Sequence, residues 1–274
     1  MKKHFLLASD FDQTLSFNDS GNILSELLGL SDFRDKVAGL SRLNLVQQGA
    51  ELAYLLRHDP EYRRVTKDHL LEVGRRVRLK RNVAKLATML RQGIDGHRFD
   101  FYVISAAPEE VVLAALDGIV PAEHVIATRF GWNAESGEIE DIRRVAAGFG
   151  KVAAVEQLRL QLALPRDQVV YVGDGQSDIP VMLHVNRGDG FTIAASEARE
   201  ISQIAQRTVI SEDVLSVLVP ILEERLAWGP SQIRALFESH GLVIQEWDRV
   251  RTDWLTFRDG AEGGAVDLDA VAEG

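Results

Sequence analysis

The chain has 274 residues, of which 46% are hydrophobic and 26% are charged, and its formal net charge at pH 7 is -10. This apolar content is enough for a sizeable core and excludes general disorder. The absence of cysteine excludes disulfides, thiolate metal sites and thiol nucleophiles. The acidic balance argues against a nucleic-acid partner. No apolar run approaches the roughly 18–20 residues of a membrane span, so we predict a cytoplasmic protein without a membrane partner.

Three short apolar segments end in Asp, Ser or Gly, a pattern that predicts buried strands of a parallel sheet. These segments are residues 4–9, 99–104 and 168–172. Helical patterns follow the second and third, at 108–116 and 179–185, as βαβ units require. Smaller strands are predicted at 124–128 and 190–194, and a hairpin turn at 132–138. Ligands of such sheets bind beyond the carboxyl ends of the strands, which is where we look for a site.

The segment between the first two strands has helical periodicity and no convincing strand. Its apolar patterns cover residues 23–28, 43–56, 69–77 and 83–90. So long a helical stretch within one crossover predicts an inserted subdomain rather than a loop. The last helix, 81–92, is expected to return to the sheet. The predicted domains are therefore a core of residues 1–15 and 77–210 and an all-helical cap of residues 16–76.

A helical C-terminal extension is predicted for residues 211–274. Ser211, Glu212 and Asp213 resemble the start of a helix that ends near Leu226, and Pro230 and Gly241 bracket a second helix. The composition of residues 259–274 predicts a frayed tail. Three roles stay open for the extension: covering the core, contributing to a homodimer, or contacting substrate.

Asp10 and Asp12 follow the first predicted strand. Alternate residues of an extended segment share a face, so both carboxylates can point at one site. One can then act as a nucleophile and the other as a general acid and base. The alternative is that one carboxylate caps the next helix while the other is solvated.

A second acidic loop follows the third predicted strand and contains Asp174 and Asp178. Oxygen ligands from separate strand ends suit Mg²⁺, which takes one or two carboxylates and keeps several waters. The alternative is a glycine-rich turn in which Asp178 caps a helix.

Ser105 and Lys151 are two further candidates, each at the start of a predicted helix. A hydroxyl beside free backbone N–H groups suits a phosphate. A lysine at a helix start opposes the helix dipole, so an anion or a carboxylate should compensate it. An ordinary N-cap serine and a solvated surface lysine are the alternatives.

The order of these features resembles the haloacid dehalogenase-like superfamily from residue 1 to about residue 210. Residues 103–110 and 125–129, together with the helical insertion after the first strand, resemble its phosphoserine-phosphatase-like branch. The resemblance implies an α/β fold. It consists of a Rossmann-like parallel sheet core with helices on both faces, plus an inserted all-helical cap after the first strand.

The resemblance also implies roles for the acidic residues. Asp10 would be the nucleophile that forms an aspartyl-phosphate, and Asp12 would protonate the leaving alkoxide and then activate water. Mg²⁺ would be held by the carboxylates of Asp10 and Asp174 and by the backbone carbonyl of Asp12. Asp178 would steady the metal waters and Lys151. Because Asp12 must hold a proton when the ester departs, we expect its pKa to lie above that of Asp10.

The implied phosphate-binding residues are Ser105, Lys151 and Thr14. Ser105 and Lys151 would hold the phosphoryl oxygens, and Thr14 would support the first loop. Phosphoryl transfer depends mainly on such positioning and charge neutralisation.

The substrate-binding residues of phosphoserine phosphatases are not all matched. Those enzymes carry a Glu shortly after the first motif and an Arg in the cap, which together grip the serine. Here Asp19 is the only acid of residues 16–20, and residues 42–50 place a small residue where the Arg should fall. Arg42, Arg57 or the basic stretch 75–81 are candidates to replace it, although such basic runs usually face water.

The sequence thus predicts a Mg²⁺-dependent phosphatase that hydrolyses a small phosphorylated substrate through an aspartyl-phosphate. A dehalogenase is disfavoured, because it needs neither Asp12 as an acid nor a Mg²⁺ site. Two alternatives of other classes remain: a phospho-accepting regulatory module, and a catalytically idle binding scaffold of the same fold.

Overall fold

The computed structural model describes residues 2–244. The chain divides into two compact units, the first ending at Leu226 and the second beginning at Ala227. Among the described residues, no helix has the length and apolar character needed to span a membrane. The predicted frayed tail, residues 259–274, lies outside the described residues.

The first unit is built on a seven-stranded sheet. The strands are β1 (His4–Ser9), β2 (Arg98–Pro108), β3 (Val125–Trp132), β4 (Ile139–Arg144), β5 (Val169–Gly173), β6 (Phe191–Ala194) and β7 (Arg207–Thr208). Their order is β4-β3-β2-β1-β5-β6-β7. All neighbours are parallel except β3 and β4, which form the antiparallel hairpin expected at residues 132–138.

Helices cover both faces of this sheet. They are α5 (Val83–Gln92), α6 (Glu109–Ala115), α7 (Phe149–Gln161), α8 (Ile179–Arg187) and the short α9 (Arg199–Ser202). Successive residues of β1 alternate between two packing layers, as strand geometry requires. Leu6 and Ala8 pack in one cluster with residues of α7 and α8, whereas Leu7 lies near Leu86 of α5. The predicted α/β fold is confirmed, and β2 extends four residues further than expected.

Four helices fill the segment between β1 and α5. They are α1 (Ser20–Leu28), α2 (Phe33–Arg42), α3 (Glu51–His58) and α4 (Lys67–Arg76). The helical pattern over residues 43–56 forms a helix only in its second part, because residues 43–50 form a loop between α2 and α3. Asn44 and Gly49 interrupt the helix with φ angles of 50° and 89°. Helix α2 was not predicted.

Two short extended segments join these helices to the sheet and pair with each other. Ser16 and Leu79 form an antiparallel bridge. The Phe17 amide donates to the Arg78 carbonyl at 2.9 Å, and the Lys80 amide donates to the Leu15 carbonyl at 2.8 Å. We call residues 15–17 and 78–80 the hinge pair. It fixes the point where the helical segment leaves and rejoins the core.

The predicted helix from residue 211 begins later than expected. Asp213 caps a 3-10 turn, Val214–Val217, by accepting a hydrogen bond from the Leu215 amide, and α10 (Leu218–Leu226) follows. Within the first unit, Asn82 also donates to Asp213 at 2.5 Å. The second unit contains α11 (Pro230–Ser239), which matches the second predicted helix. The predicted domain bounds themselves stay a prediction.

Candidate active site

The two acidic loops lie at the carboxyl ends of adjacent parallel strands. Asp10 follows β1, and Asp174 follows β5. The Asp10 amide continues the sheet by donating to the Val172 carbonyl at 2.8 Å. The strand pairing therefore brings two loops far apart in sequence to one edge of the sheet.

Lys151 lies between two carboxylates in the interior of the protein. Its Nζ is 3.0 Å from Asp10 Oδ1 and 2.5 Å from Asp178 Oδ1, and its side chain is 0% exposed. Asp10 is also buried, and its Oδ1 accepts a hydrogen bond from the Phe11 amide at 2.7 Å. The ammonium in the first turn of α7 is thus compensated by carboxylates rather than by water.

Asp178 has partners on both carboxylate oxygens. Oδ1 accepts from Lys151 and from the Tyr171 hydroxyl at 2.6 Å, and Oδ2 accepts from the amides of Asp174 and Gly175 at 3.1 and 3.2 Å. Gly173 allows this close approach, since a Cβ there would lie 2.4 Å from Asp178 Cγ. Asp178 therefore organises the loop and Lys151 and has little capacity left for a further ligand.

The charges of this cluster balance only if a further cation binds or a carboxyl group keeps a proton. Burial and the charge of Asp178 raise the pKa of Asp10 well above its usual value, despite Lys151. Burial and Asp178 also raise the pKa of Asp174 from 3.8 to about 7. Burial lowers the pKa of Lys151, but the charges of Asp10 and Asp178 outweigh it and raise this pKa overall. One ammonium therefore faces more carboxylate charge than it can neutralise.

These residues fit a divalent cation with oxygen ligands. Carboxylate oxygens of Asp10, Asp174 and Asp178 all lie within 4.8 Å of one another. Because the oxygens of Asp178 are already engaged, Asp10 and Asp174 are the carboxylates available to a metal. A ligand set of two carboxylates, waters and substrate oxygens is typical of Mg²⁺. The Asp12 carboxylate is not a member of this group, which leaves its backbone carbonyl for the predicted contact.

The side chain of Asp12 has a different environment from that of Asp10. Its Oδ1 accepts a hydrogen bond from the Ser20 hydroxyl at 2.7 Å, at the start of α1. Burial and the charge of Asp19 raise the pKa of Asp12 well above its usual value. Asp19 itself caps α1 by accepting from the Asn22 amide. Asp12 is thus a buried carboxyl group that favours its protonated form. That its pKa lies above the pKa of Asp10 stays a prediction.

Thr14 and Ser105 lie at the edges of this group. Thr14 Oγ1 is 3.5 Å from Asp174 Oδ1, at the limit of a hydrogen bond. Ser105 is buried in β2, the neighbour of β1, and its Oγ accepts from the Ala107 amide at 3.1 Å. Ser105 is therefore not at the start of α6 as predicted, and it is not its N-cap either, because Pro108 occupies that position. The contact with the Ala107 amide leaves the hydroxyl proton of Ser105 free to donate.

Part of the loop between α2 and α3 contacts the acidic loops. A Cβ added at Gly49 would lie 2.7 Å from Ser177 Cβ, and one added at Gly148 would lie 3.1 Å from Gln47 Oε1. The helical segment therefore reaches the loops that carry Lys151 and Asp178.

Two residues near the site, Ser20 and Tyr171, were missed by sequence reasoning, and Lys80 was included only as a member of the basic stretch 75–81. Ser20 and Tyr171 contact acidic residues directly, and the half-buried Lys80 lies close enough to Asp174 for their charges to interact. Tyr171 lies two residues before Gly173, so the alternation of β5 could have indicated it. Ser20 carried no signal beyond its place next to a helix cap.

Residues 7–183 match the family of haloacid dehalogenase-like hydrolases. The chain belongs to this family. No curated protein sequence matches it. Among the solved structures of this fold, a phospho-aspartyl intermediate analogue of phosphoserine phosphatase superimposes with a TM-score of 0.63 and 17% identity. The match covers 79% of this chain and 98% of that one.

A phosphoserine phosphohydrolase-like protein from Francisella tularensis subsp. tularensis SCHU S4 gives a TM-score of 0.61 and 19% identity. The match covers 81% of this chain and 100% of that one. At these identities the likeness establishes the haloacid dehalogenase-like fold with its cap, as the sequence predicted, and the substrate is a separate question.

Proposed function

We propose that this hydrolase is a Mg²⁺-dependent phosphatase that hydrolyses a small-molecule phosphomonoester through an aspartyl-phosphate on Asp10. The observation that carries the proposal is that two carboxyl groups on one loop have different environments. Asp10 contacts Lys151 beside Asp174, whereas Asp12 is held apart by Ser20. Two carboxyl groups in different environments suit a nucleophile and a general acid.

In the first step, a carboxylate oxygen of Asp10 attacks phosphorus, and the bond between phosphorus and the ester oxygen breaks. Asp12 donates its proton to the departing alkoxide, which leaves as an alcohol. The raised pKa of Asp12 keeps that proton available near neutral pH. Lys151 and Ser105 hold the phosphoryl oxygens in this proposal, and Thr14 supports the loop.

In the second step, Asp12 is ionised and accepts a proton from a water molecule that attacks the phosphorus of the aspartyl-phosphate. The bond between phosphorus and Asp10 breaks, which releases inorganic phosphate and restores both carboxyl groups. Mg²⁺, held by Asp10, Asp174 and the Asp12 carbonyl, would supply charge neutralisation for the phosphoryl group. Asp178 positions Lys151 and the Asp174 loop throughout.

The proposal includes a cytoplasmic protein that acts on a small phosphorylated molecule, without a nucleic-acid or membrane partner. The acidic composition and the absence of cysteine support it. A homodimer through the C-terminal residues stays a prediction, which the oligomeric state in solution would test.

The experiment that tests the proposal is phosphate release from a panel of phosphomonoesters with and without Mg²⁺. The panel contains phosphoserine, phosphocholine, phosphoethanolamine, sugar phosphates, nucleotides and para-nitrophenyl phosphate. Asp10→Asn removes the nucleophile, and Asp35→Asn is the matched control, because Asp35 is an exposed acid on α2. We expect release that requires Mg²⁺, disappears in Asp10→Asn and survives in Asp35→Asn.

Two results would contradict the proposal in different ways. A single turnover that leaves a stable phosphoprotein would indicate a phospho-accepting regulatory module. Metal binding without turnover of any ester would indicate an idle scaffold. Labelling with acetyl phosphate distinguishes the two, since only the first would form an acyl phosphate on Asp10.

A further inference from the structure

The basic stretch 75–81 separates into residues with different partners. Arg75 and Arg76 end α4 and both pair with Glu72, at 3.6 and 2.8 Å. Arg78 lies over the ring of Phe17, with its guanidinium carbon 4.4 Å from the ring centre. These three residues therefore have ordinary structural roles on the helical segment and at the hinge pair.

Arg81 and Lys80 are neighbours with contrasting environments. The side chain of Arg81 is 74% exposed and pairs with Glu212 at 3.6 Å. Lys80 is half-buried, and its ammonium forms no hydrogen bond or close ion pair within residues 2–244. Burial lowers the pKa of Lys80, and the charge that opposes this shift is that of Asp174. A half-buried ammonium without a close anion has lost part of its hydration and is available to an anionic ligand.

The backbone fixes Lys80 next to the candidate active site. Its amide donates to the carbonyl of Leu15 in the hinge pair. Leu15 directly follows Thr14, whose hydroxyl lies 3.5 Å from Asp174. Lys80 therefore lies on the seam between the core and the helical segment, beside the carboxylate proposed to hold the metal.

The phosphoryl group is already provided for without Lys80. In the proposed function, its oxygens are met by Lys151, Ser105 and the metal. Two of the three donors of Lys151 are used by Asp10 and Asp178, and the proposed phosphoryl contact takes the third. A second cation at the seam is therefore placed for a different part of the substrate, in a site whose other charged groups are mostly acidic.

Resting on the proposed function, we infer that Lys80 determines specificity by binding a second anionic group of the substrate. The substrate class is then a phosphomonoester that also carries a carboxylate or a second phosphate. Lys80 belongs to the basic stretch 75–81 and would replace the missing Arg. It would do so from the hinge pair rather than from a cap helix.

The test compares substrates that differ in one anionic group. Phosphoserine and phosphoethanolamine differ by a carboxylate, and fructose 1,6-bisphosphate and fructose 1-phosphate differ by a phosphate. In one of these pairs, we expect the parent to prefer the substrate with two anionic groups over the substrate with one. In Lys80→Met, that preference in kcat/KM should fall at least tenfold, mainly through KM, and Lys80→Arg should restore part of it. The pair that shows the effect identifies the carboxylate or the phosphate as the second group.

Arg81→Met is the matched control, because it removes the adjacent positive charge from an exposed position. It should leave the preference unchanged. A binding readout separates recognition from chemistry: in the Asp10→Asn background, calorimetric titration with the preferred substrate should give a Kd that Lys80→Met raises at least tenfold.

The inference is overturned if Lys80→Met lowers kcat/KM equally for both members of each pair, or if the parent shows no preference for a second anionic group. Either result would leave the phosphatase proposal intact, since phosphate release would still depend on Asp10. The absence of release from every ester in the parent would instead overturn the proposed function and the inference with it.

Discussion

Two lysines of this chain are each surrounded by carboxylates, and they differ in burial. Lys151 lies 3.0 Å from Asp10 and 2.5 Å from Asp178 with no exposed side chain. Lys36 of α2 lies 3.4, 2.9 and 2.5 Å from Asp32, Asp59 and Glu61, and its side chain is 20% exposed. The same residue types therefore form a closed charge cluster in the core and a hydrated one on the helical segment. Burial decides how strongly each cluster depends on its members.

The largest expected effect is on Lys151. Lys151→Met leaves the buried carboxylates of Asp10 and Asp178 without their shared ammonium. We expect a loss of about 3–5 kcal/mol in the free energy of unfolding, because removing one partner of a buried pair strands the other charge. Urea denaturation of the metal-free protein measures it. A loss no larger than that of Lys36→Met would contradict the comparison.

Asp12 should affect activity more than stability. Asp12→Asn removes the proposed acid, and we expect kcat to fall about 10²–10⁴-fold for an alkyl phosphate. The fall should be smaller for para-nitrophenyl phosphate, whose leaving group departs as a stable phenolate. Ser20→Ala is the control that keeps the carboxyl group but loses its 2.7 Å hydrogen bond, and its effect on kcat should be smaller. Equal losses for both substrates would argue against Asp12 as the acid.

The pH dependence of stability should report on Asp174. Its pKa rises from 3.8 to about 7 in the fold, so the metal-free native state holds this proton more tightly than the unfolded chain does. The contribution of this group is therefore present below about pH 4 and is lost as the pH rises through 7. Urea denaturation at pH 5, 6, 7 and 8 should show the metal-free protein losing stability across this window.

Asp174→Asn is the control, because other acids titrate in the same experiment. Asp10 and Asp12, for example, also have raised pKa values, so they too destabilise the metal-free fold as the pH rises. The difference between parent and variant isolates Asp174. Saturating Mg²⁺ should abolish that difference above pH 7, since a cation favours the ionised carboxylate. An unchanged difference with Mg²⁺ would argue against Asp174 as a ligand.

The strand ends could be predicted from sequence because their signals are local. Asp10 and Asp12 directly follow an apolar run, and Asp174 follows another, so the parallel sheet fixes where they meet. The contact of Ser20 with Asp12, and the choice of Lys80 from the basic stretch 75–81, could not be predicted, because both depend on how the helical segment returns to the core. The same holds for residues 43–50, where helical periodicity continues through a loop and only the backbone of Asn44 and Gly49 breaks it.

Gly49 tests whether the contact between the helical segment and the core matters. Its φ is 89°, and an added Cβ would lie 2.7 Å from Ser177 Cβ. Gly29 is a matched control with a φ of 72° and no neighbour within 4 Å of an added Cβ. Both substitutions by Ala should cost about 1 kcal/mol of stability from backbone strain. Only Gly49→Ala should also raise KM, by about three- to tenfold, which steady-state kinetics of the two variants would measure.

The smallest effect is expected for Lys36. Lys36→Met should lower the free energy of unfolding by about 1 kcal/mol or less, because its carboxylates regain water when the ammonium is removed. The loss should shrink further at 1 M NaCl, where the screening length falls to about 3 Å. The loss caused by Lys151→Met should respond much less to salt, since buried pairs are poorly screened. Urea denaturation of both variants at low and high salt measures the two responses. An equal response to salt would mean that burial does not make the two clusters differ in their contribution to stability.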